Sequence, residues 1–594
     1  MTAATGRRPI RIGNCSGFYG DRASAMADMA SAGGIDVLTG DYLAEVTMLI
    51  LGKARAKDAT KGYAATFLPH LDAALKHLVA NGIRLVVNAG GLNPAGLATA
   101  TRDLVGSRGY DLRVSHVEGD DVFDRLTELQ QAGHPLPHLT NGEPLSSWPH
   151  QPLTASAYLG AFGIAAALAR GADIVITGRA ADASVVVGPA AWWWNWGPQD
   201  YDALAGAVAA GHVIECGPQA TGGNFSGFTD VADLGRPGFP IAEIACDGSS
   251  VITKNAGTGG AVTTDTVTAQ LLYEIGAPTY LNPDVTTHLD TATLAGLGED
   301  RVAIRGVRGS APPPTTKVAI TAVGGWQNSV VFALTGTDLD EKAALIEQSV
   351  RGLVDAAIDA VAVDRIGRAQ HDPDTQNMGT ELLRVAVQGT KEAAGRTFSS
   401  QMVELALSSY PGLYSLAPPQ PGSAFGVYWP ALLEQAQLEH AVHHHDGTTE
   451  TIAPPAARGA NAGVPNPATI AQPVPTPSPD ELVVASLGDI VHTRSGDKGG
   501  DANVGVWVRD RKAWGWLAAA LTIDELRRLL PETRELDVMR YELPNLGAVN
   551  FVIRGLLGEG ATSTLRLDAQ AKALGEWLRA RSVKVPKHLV DKAN

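Results

Sequence analysis

Between Pro9 and Asp182 the chain repeats one pattern: a short apolar run, then a polar phrase carrying glycine. Pro9–Gly13 leads into Asn14-Cys15-Ser16-Gly17, and Ile35–Leu38 into Thr39-Gly40-Asp41-Tyr42-Leu43-Ala44-Glu45. Ile83–Val87 leads into Asn88-Ala89-Gly90-Gly91-Leu92-Asn93-Pro94. Leu112–Val117 leads into Glu118-Gly119-Asp120-Asp121, and Ile174–Ile176 into Thr177-Gly178-Arg179-Ala180-Ala181-Asp182. Continuous apolar runs of this length suit strands covered on both faces. Helical patterns separate several of them, at Phe67–Asn81, Ala95–Ser107 and Tyr158–Arg170. Strand and helix in alternation predict an α/β fold with a doubly wound, mostly parallel sheet.

The size and composition agree. The 594 residues, 45% apolar and 18% charged, can bury several cores. A net charge of −15 repels phosphate polyanions, so no nucleic-acid partner is expected. Cys15, Cys216 and Cys246 are too few for a disulfide scaffold, which suits a reducing compartment. No signal peptide is visible at Met1–Arg8, and the longest weakly polar run, Ala155–Ala169, falls short of the ~20 residues of a membrane span. The expectation is a cytoplasmic chain with no membrane contact.

Proline marks one boundary. It occupies eight of the 26 positions from Pro454 to Pro479, which rules out a helix or central strand there. The divisions are therefore 1–452 (with a sub-boundary near 205), a linker at 453–480 and a small α+β domain at 481–594. In the first part Val318–Val323 and Ser329–Leu334 read as paired strands around Gly324-Gly325-Trp326, Asp340–Val361 as a helix, and 375–440 as helical.

Ligands of parallel α/β sheets bind beyond the carboxyl ends of the strands. The five phrases would meet there, although Gly, Asn and Asp are also ordinary turn residues. Asp41, Glu45 and Asp182 are the candidate catalytic acids, since burial raises a carboxyl into the range of a general base. Glu45 equally suits a helix start. Ser16, Asn88, Gly90, Gly91 and Asn93 are candidate substrate-binding groups, with the glycine amides aimed at an anion. Arg179 either clamps a carboxylate or phosphate or pairs with Asp182. Asn224, in the glycine-rich stretch 217–227, and Ser495 and Lys498, in Arg494–Asn503, complete the set. That last segment reads as a long charged loop between two strands.

Cys15 reads as a small buried thiol. Trp192-Trp193-Trp194-Asn195-Trp196 reads as subunit or domain packing, or as an apolar acyl pocket. His440, His443, His444 and His445 read as a solvated run, and no metal site is expected.

Together, Ser16–Arg22, Thr39–Glu45, Asn88–Pro94 and Thr177–Asp182 resemble the acyclic terpene utilisation protein AtuA family. Arg494–Asn503 is similar to the ferredoxin-like domain often fused to it. The resemblance spans roughly 9–440 and 481–594. It implies a place in citronellol and geraniol breakdown, where branched acids travel as coenzyme A thioesters beside a biotin-dependent geranyl-CoA carboxylase. Two functions follow as expectations. One is an enzyme of hydration, dehydration or C–C cleavage on an acyl-CoA or hydroxyacyl-CoA. The other is a non-catalytic acyl-CoA-binding or carboxylase-associated protein. No bound cofactor is expected, coenzyme A entering as part of the substrate, and a homo-oligomer is expected in either case.

Overall fold

The computed structural model describes residues 6–353, 357–455 and 482–590. All five apolar runs are strands: β1 (Ile10–Asn14), β2 (Val37–Gly40), β3 (Arg84–Val87), β4 (Val114–Glu118) and, after β5 (Pro152–Ala157), β6 (Ile174–Thr177). They pair in parallel in the order β1-β2-β3-β6-β4 at the centre of an eleven-stranded sheet. The fold is α/β as expected, but the parallel pairing stops at these five. Antiparallel β7 (Pro240–Ile244) and β8 (Ser250–Lys254) extend the β1 side, and Ala441–His443 and Thr449–Thr451 extend the β4 side. Apolar side chains fill both faces, which is why the central strands read as unbroken hydrophobic runs.

β5 leaves this sheet for a second one, where it pairs with the 21-residue strand Thr315–Thr335. The expected hairpin at Gly324-Gly325 is a bulge in this one strand, where the register against Ser423–Glu434 shifts between Val323 and Gly325. A Cβ on Gly324 would meet Phe425 at 2.5 Å, so the glycine marks a close approach and not a turn. Two further readings are corrected. The helix at 340 ends at Leu353, and Ile358–Ile366 is a strand. The region 375–440 is not helical overall: its longest elements are the strands Thr380–Gly389 and Ser423–Glu434, with a short helix at Phe398–Glu404 between them. Cross-strand partners far away in sequence override its weak helical preference.

The histidine run is not a solvated tail. Ala441–His443 is a strand against β4, and His444 is buried beside Glu450, 3.1 Å away. The tryptophans close the end of the helix Ser184–Trp194, Trp194 and Trp196 donating to the carbonyls of Ile244 and Cys246 at 3.0 Å each. Among the described residues no helix is long and apolar enough to cross a membrane. The expected linker lies, beyond Pro455, outside the described residues.

The C-terminal part holds a four-stranded antiparallel sheet. Arg494–Asn503 is not a loop in it. The strands Val491–Lys498 and Asp501–Val508 run through that segment and leave Gly499-Gly500 as a two-residue turn. This hairpin docks on the first part through Asn503, which is fully buried. Its amide donates to Leu272 O and Asn550 Oδ1 and its oxygen accepts from Glu274 N, each at 2.8 Å. Asn503→Leu orphans all three partners at about 1–3 kcal/mol each. Urea unfolding should register a loss of several kcal/mol or an early transition of the C-terminal part, and an unchanged midpoint would contradict this docking.

Candidate active site

The turn after β2 places Asp41. Its amide donates to Ser16 O at 2.9 Å, and its Oδ1 accepts from Leu43 N at 3.0 Å and Asn88 Nδ2 at 2.6 Å. Asn88 Oδ1 accepts from Tyr42 N at 2.7 Å. One asparagine thus locks the whole turn and aims the carboxyl of Asp41. The turn after β6 places Arg179, whose side chain is almost wholly buried. Its amide donates to Asp120 Oδ2 at 2.7 Å, and its guanidinium donates to Leu43 O at 2.5 Å and Tyr158 Oη at 2.9 Å. Gly178 is needed here, because a Cβ would lie 2.2 Å from Asp120 Oδ1. Burial pushes Asp120 up to about 8.

A third acid comes from elsewhere. The helix Tyr201–Ile214 is packed on nearly all sides, and the chain just past it carries Glu215 and Cys216. Asn14 holds this corner by donating to Glu215 O at 3.2 Å, and Gly17 lets the first loop approach it. A Cβ on Gly17 would sit 2.7 Å from the Cys216 carbonyl carbon. His212 Nδ1 lies 3.2 Å from Glu215 Oε1, while Glu215 Oε2 is buried with no hydrogen-bond partner among the described residues.

Carboxyl oxygens of Asp41, Asp182 and Glu215 fall within 4.8 Å of one another. Burial first, and then the Asp182 charge, lifts Asp41 and Glu215 well above the usual carboxylate range. Asp182 is raised by burial too, but Arg179, 3.1 Å away, opposes the shift. Glu45 goes the other way. Burial would raise it, yet Lys317 at 3.4 Å and Arg179 hold it at about 2. Three oxygens this close suit a shared proton or an oxygen-seeking divalent cation.

The group is reachable from solvent. Asp182, Glu45 and Lys317 keep 30%, 30% and 29% of their side-chain surface exposed although protein surrounds them. Lys317 lies 5.1 Å from the Tyr158 ring and 5.3 Å from the Tyr428 ring. Lys498, at the hairpin tip, donates to Glu274 O at 2.8 Å and is lowered by burial and by Lys317. The result is a cleft between both sheets and the C-terminal part.

The strand-end phrases therefore do meet at one rim, through Ser16, Asp41, Asn88, Asp120, Arg179 and Asp182. The expected anion cradle of glycine amides does not form. Gly90 N donates to Thr177 O at 3.0 Å and Gly91 N to Asn88 O at 3.2 Å, which ties the strand ends together instead. Ser16 Oγ is spent on Phe18 O, and Asn93 caps the helix Pro94–Ser107 through Gly96 N. Asn224 offers its carbonyl to Arg494 at 3.3 Å. Ser495 is buried in the C-terminal part, donating to Lys572 O and accepting from Gly575 N. Cys15 is a buried thiol whose titration burial pushes up. Sequence reasoning missed Tyr158, His212, Glu215 and Lys317. The only signal was a polar His-x-x-Glu-Cys ending on an Ala/Gly-rich helix.

The raised acids fix a sign. Between the unfolded value of about 4 and its own folded value, the folded chain binds the Asp41 proton and the unfolded chain does not. That contribution to stability therefore falls as pH rises through the window. An amide in place of this carboxyl keeps the acceptor for Leu43 and Asn88 and does not titrate. Asp41→Asn should gain thermal stability relative to wild type, and gain more at pH 8 than at pH 5. A uniform loss at both would refute the assignment of Asp41 as a raised acid.

The family model described as acyclic terpene utilisation family protein AtuA matches residues 10–444, and the AtuA ferredoxin-like domain matches residues 485–584. No curated protein and no solved structure matches the chain. Family membership supports a role in terpene catabolism. The rim residues Ser16, Asp41, Asn88, Arg179 and Asp182 all fall inside the first match and Lys498 inside the second: the chain belongs to the acyclic terpene utilisation AtuA family, with that family's ferredoxin-like domain at its C-terminal end.

Proposed function

We propose that the cleft is the active site of an enzyme acting on a branched acyl-CoA or hydroxyacyl-CoA by hydration, dehydration or C–C cleavage. The observation that carries this reading is the trio Asp41, Asp182 and Glu215, joined within 4.8 Å in a reachable cleft. Neighbouring carboxyls whose environments push their proton affinities apart form an acid and a base. Asp182, charge-balanced by Arg179, is the base that takes the proton next to the thioester carbonyl. Asp41 or Glu215, kept protonated by burial, delivers a proton to the departing oxygen or carbon. Lys317 and Tyr158 stand where they can stabilise the enolate oxygen formed in between.

A second feature supports the substrate class. A cavity of about 840 Å³ is lined by Tyr158, Phe162, Trp192, Trp196, Leu438 and Ile452. Tyr158, which bonds Arg179 through its hydroxyl, is the residue that this cavity wall shares with the charged cluster. The cavity equally suits the second reading, a non-catalytic acyl-CoA-binding or carboxylase-associated protein.

Purified protein incubated with branched enoyl- and hydroxyacyl-CoA thioesters, followed by mass spectrometry, separates the two. The enzyme reading expects conversion of at least one thioester, and Asp182→Asn should lower turnover by ~10²–10⁴-fold while thioester binding survives. Binding without conversion across the set selects the second reading.

A further inference from the structure

Away from the cleft, β4 and the strand Ala441–His443 bring together three metal-ligating side chains. Their register sets His116 directly opposite His443 and Glu118 opposite Ala441. Residues two apart on a strand share a face, so all three side chains project to the same side, and the small Ala441 leaves room beside Glu118. The imidazole rings are stacked, with centroids 4.6 Å apart and planes 9° from parallel. The Glu118 carboxylate spans them, with Oε1 3.6 Å from His116 Nε2 and Oε2 3.2 Å from His443 Nε2. One nitrogen from each ring and one carboxylate oxygen lie within 4.8 Å of one another.

We infer that His116, Glu118 and His443 form a site for a borderline divalent transition-metal ion such as Zn2+, which staples the strand Ala441–His443 to β4. Two imidazoles and one carboxylate are a donor set that zinc takes with a water in the fourth position, and Mg2+ or Ca2+ would prefer oxygen alone. The fourth position faces solvent, since Glu118 and His443 each keep 36% of their side-chain surface exposed. An outer partner is already in place. Thr449 Oγ1 lies 3.3 Å from His443 Nδ1, which leaves Nε2 of that ring for the metal. His116 Nδ1 is buried without a hydrogen-bond partner, so nothing else in the described residues spends that ring.

The test uses the full-length chain after dialysis against a chelator. Calorimetric titration with ZnCl2 should show one Zn2+ bound per chain, and Co2+ should give the visible absorption of a four-coordinate nitrogen–oxygen site. Glu118→Gln and His443→Ala should each weaken Zn2+ binding by at least ~100-fold, because loss of an outer partner alone costs about 10–100-fold. Thr449→Val should weaken it by roughly 10-fold. His445→Gln, which changes the neighbouring histidine of the same run, should leave affinity unchanged. Zn2+ should raise the melting temperature of wild type and not of Glu118→Gln. Absence of saturable Zn2+ binding by wild type overturns the site. So does equal affinity in Glu118→Gln and His443→Ala to that of wild type, or a loss in His445→Gln as large as in His443→Ala.

Discussion

One buried guanidinium holds the cleft together. The Arg179 guanidinium touches the segment after β2 through Leu43 O, the end of β5 through Tyr158 and its own loop through Asp182, while its backbone amide ties in the loop after β4 through Asp120. An uncompensated charge at that depth would cost several kcal/mol, so the surrounding acids are a condition of its burial. The dependence is mutual. Without Arg179, Asp182 and Glu45 would lose a cation that opposes their desolvation. The chain from β5 shows how the fold serves this. Tyr158 N donates to Lys317 O in the second sheet at 2.9 Å, and Leu159 N donates to Arg179 O in the first at 3.2 Å. Two residues thus join the sheets at the point where the charges meet.

Much of the first wall of this cleft was legible, because parallel strands write themselves as apolar runs and their carboxyl ends as turn residues. Asp41, Arg179 and Asp182 are reachable by that reasoning. Glu215 and Lys317 are not. Lys317 sits on an antiparallel strand whose partners, β5 and Ser423–Glu434, lie far off in sequence, and no local pattern announces such pairing. Glu215 follows a helix buried on nearly every side, so the usual contrast between a wet and a dry face is missing. The glycines of Asn88–Pro94 show the opposite failure. Their amides look like an anion site in the sequence, but a neighbouring strand end and the turn's own carbonyl consume them.

The C-terminal part supplies a wall and not a mere appendage. Arg494 lies 4.1 Å over the Tyr273 ring, Lys498 bonds Glu274 O, and Lys572 reaches Asp497 at 3.0 Å and Glu274 at 3.3 Å. These contacts put the glycine turn of the hairpin against the second sheet, where a Cβ on Gly499 would lie 2.9 Å from the Tyr428 ring. Of the charged residues that make Arg494–Asn503 look like a solvated loop, Arg494 and Lys498 bond the first part of the chain, while Asp497 and Asp501 bond Lys572 and Gly555 in the C-terminal part.

The charge inventory of the cleft restricts its chemistry. Lys317 answers Glu45, and Arg179 answers Asp182. Asp41 and Glu215 have no cation of their own in these pairings, and after burial the Asp182 charge raises both. Protons are the least demanding way to neutralise them, since the same burial that opposes their ionisation favours the neutral acid. The cleft then holds one carboxyl paired with Arg179 next to two that burial raises, with Lys498, lowered by burial and by Lys317, at the hairpin tip. The fixed charges of the cleft therefore nearly cancel. Such a cleft neither repels an anion with three carboxylates nor traps it with an excess of cations.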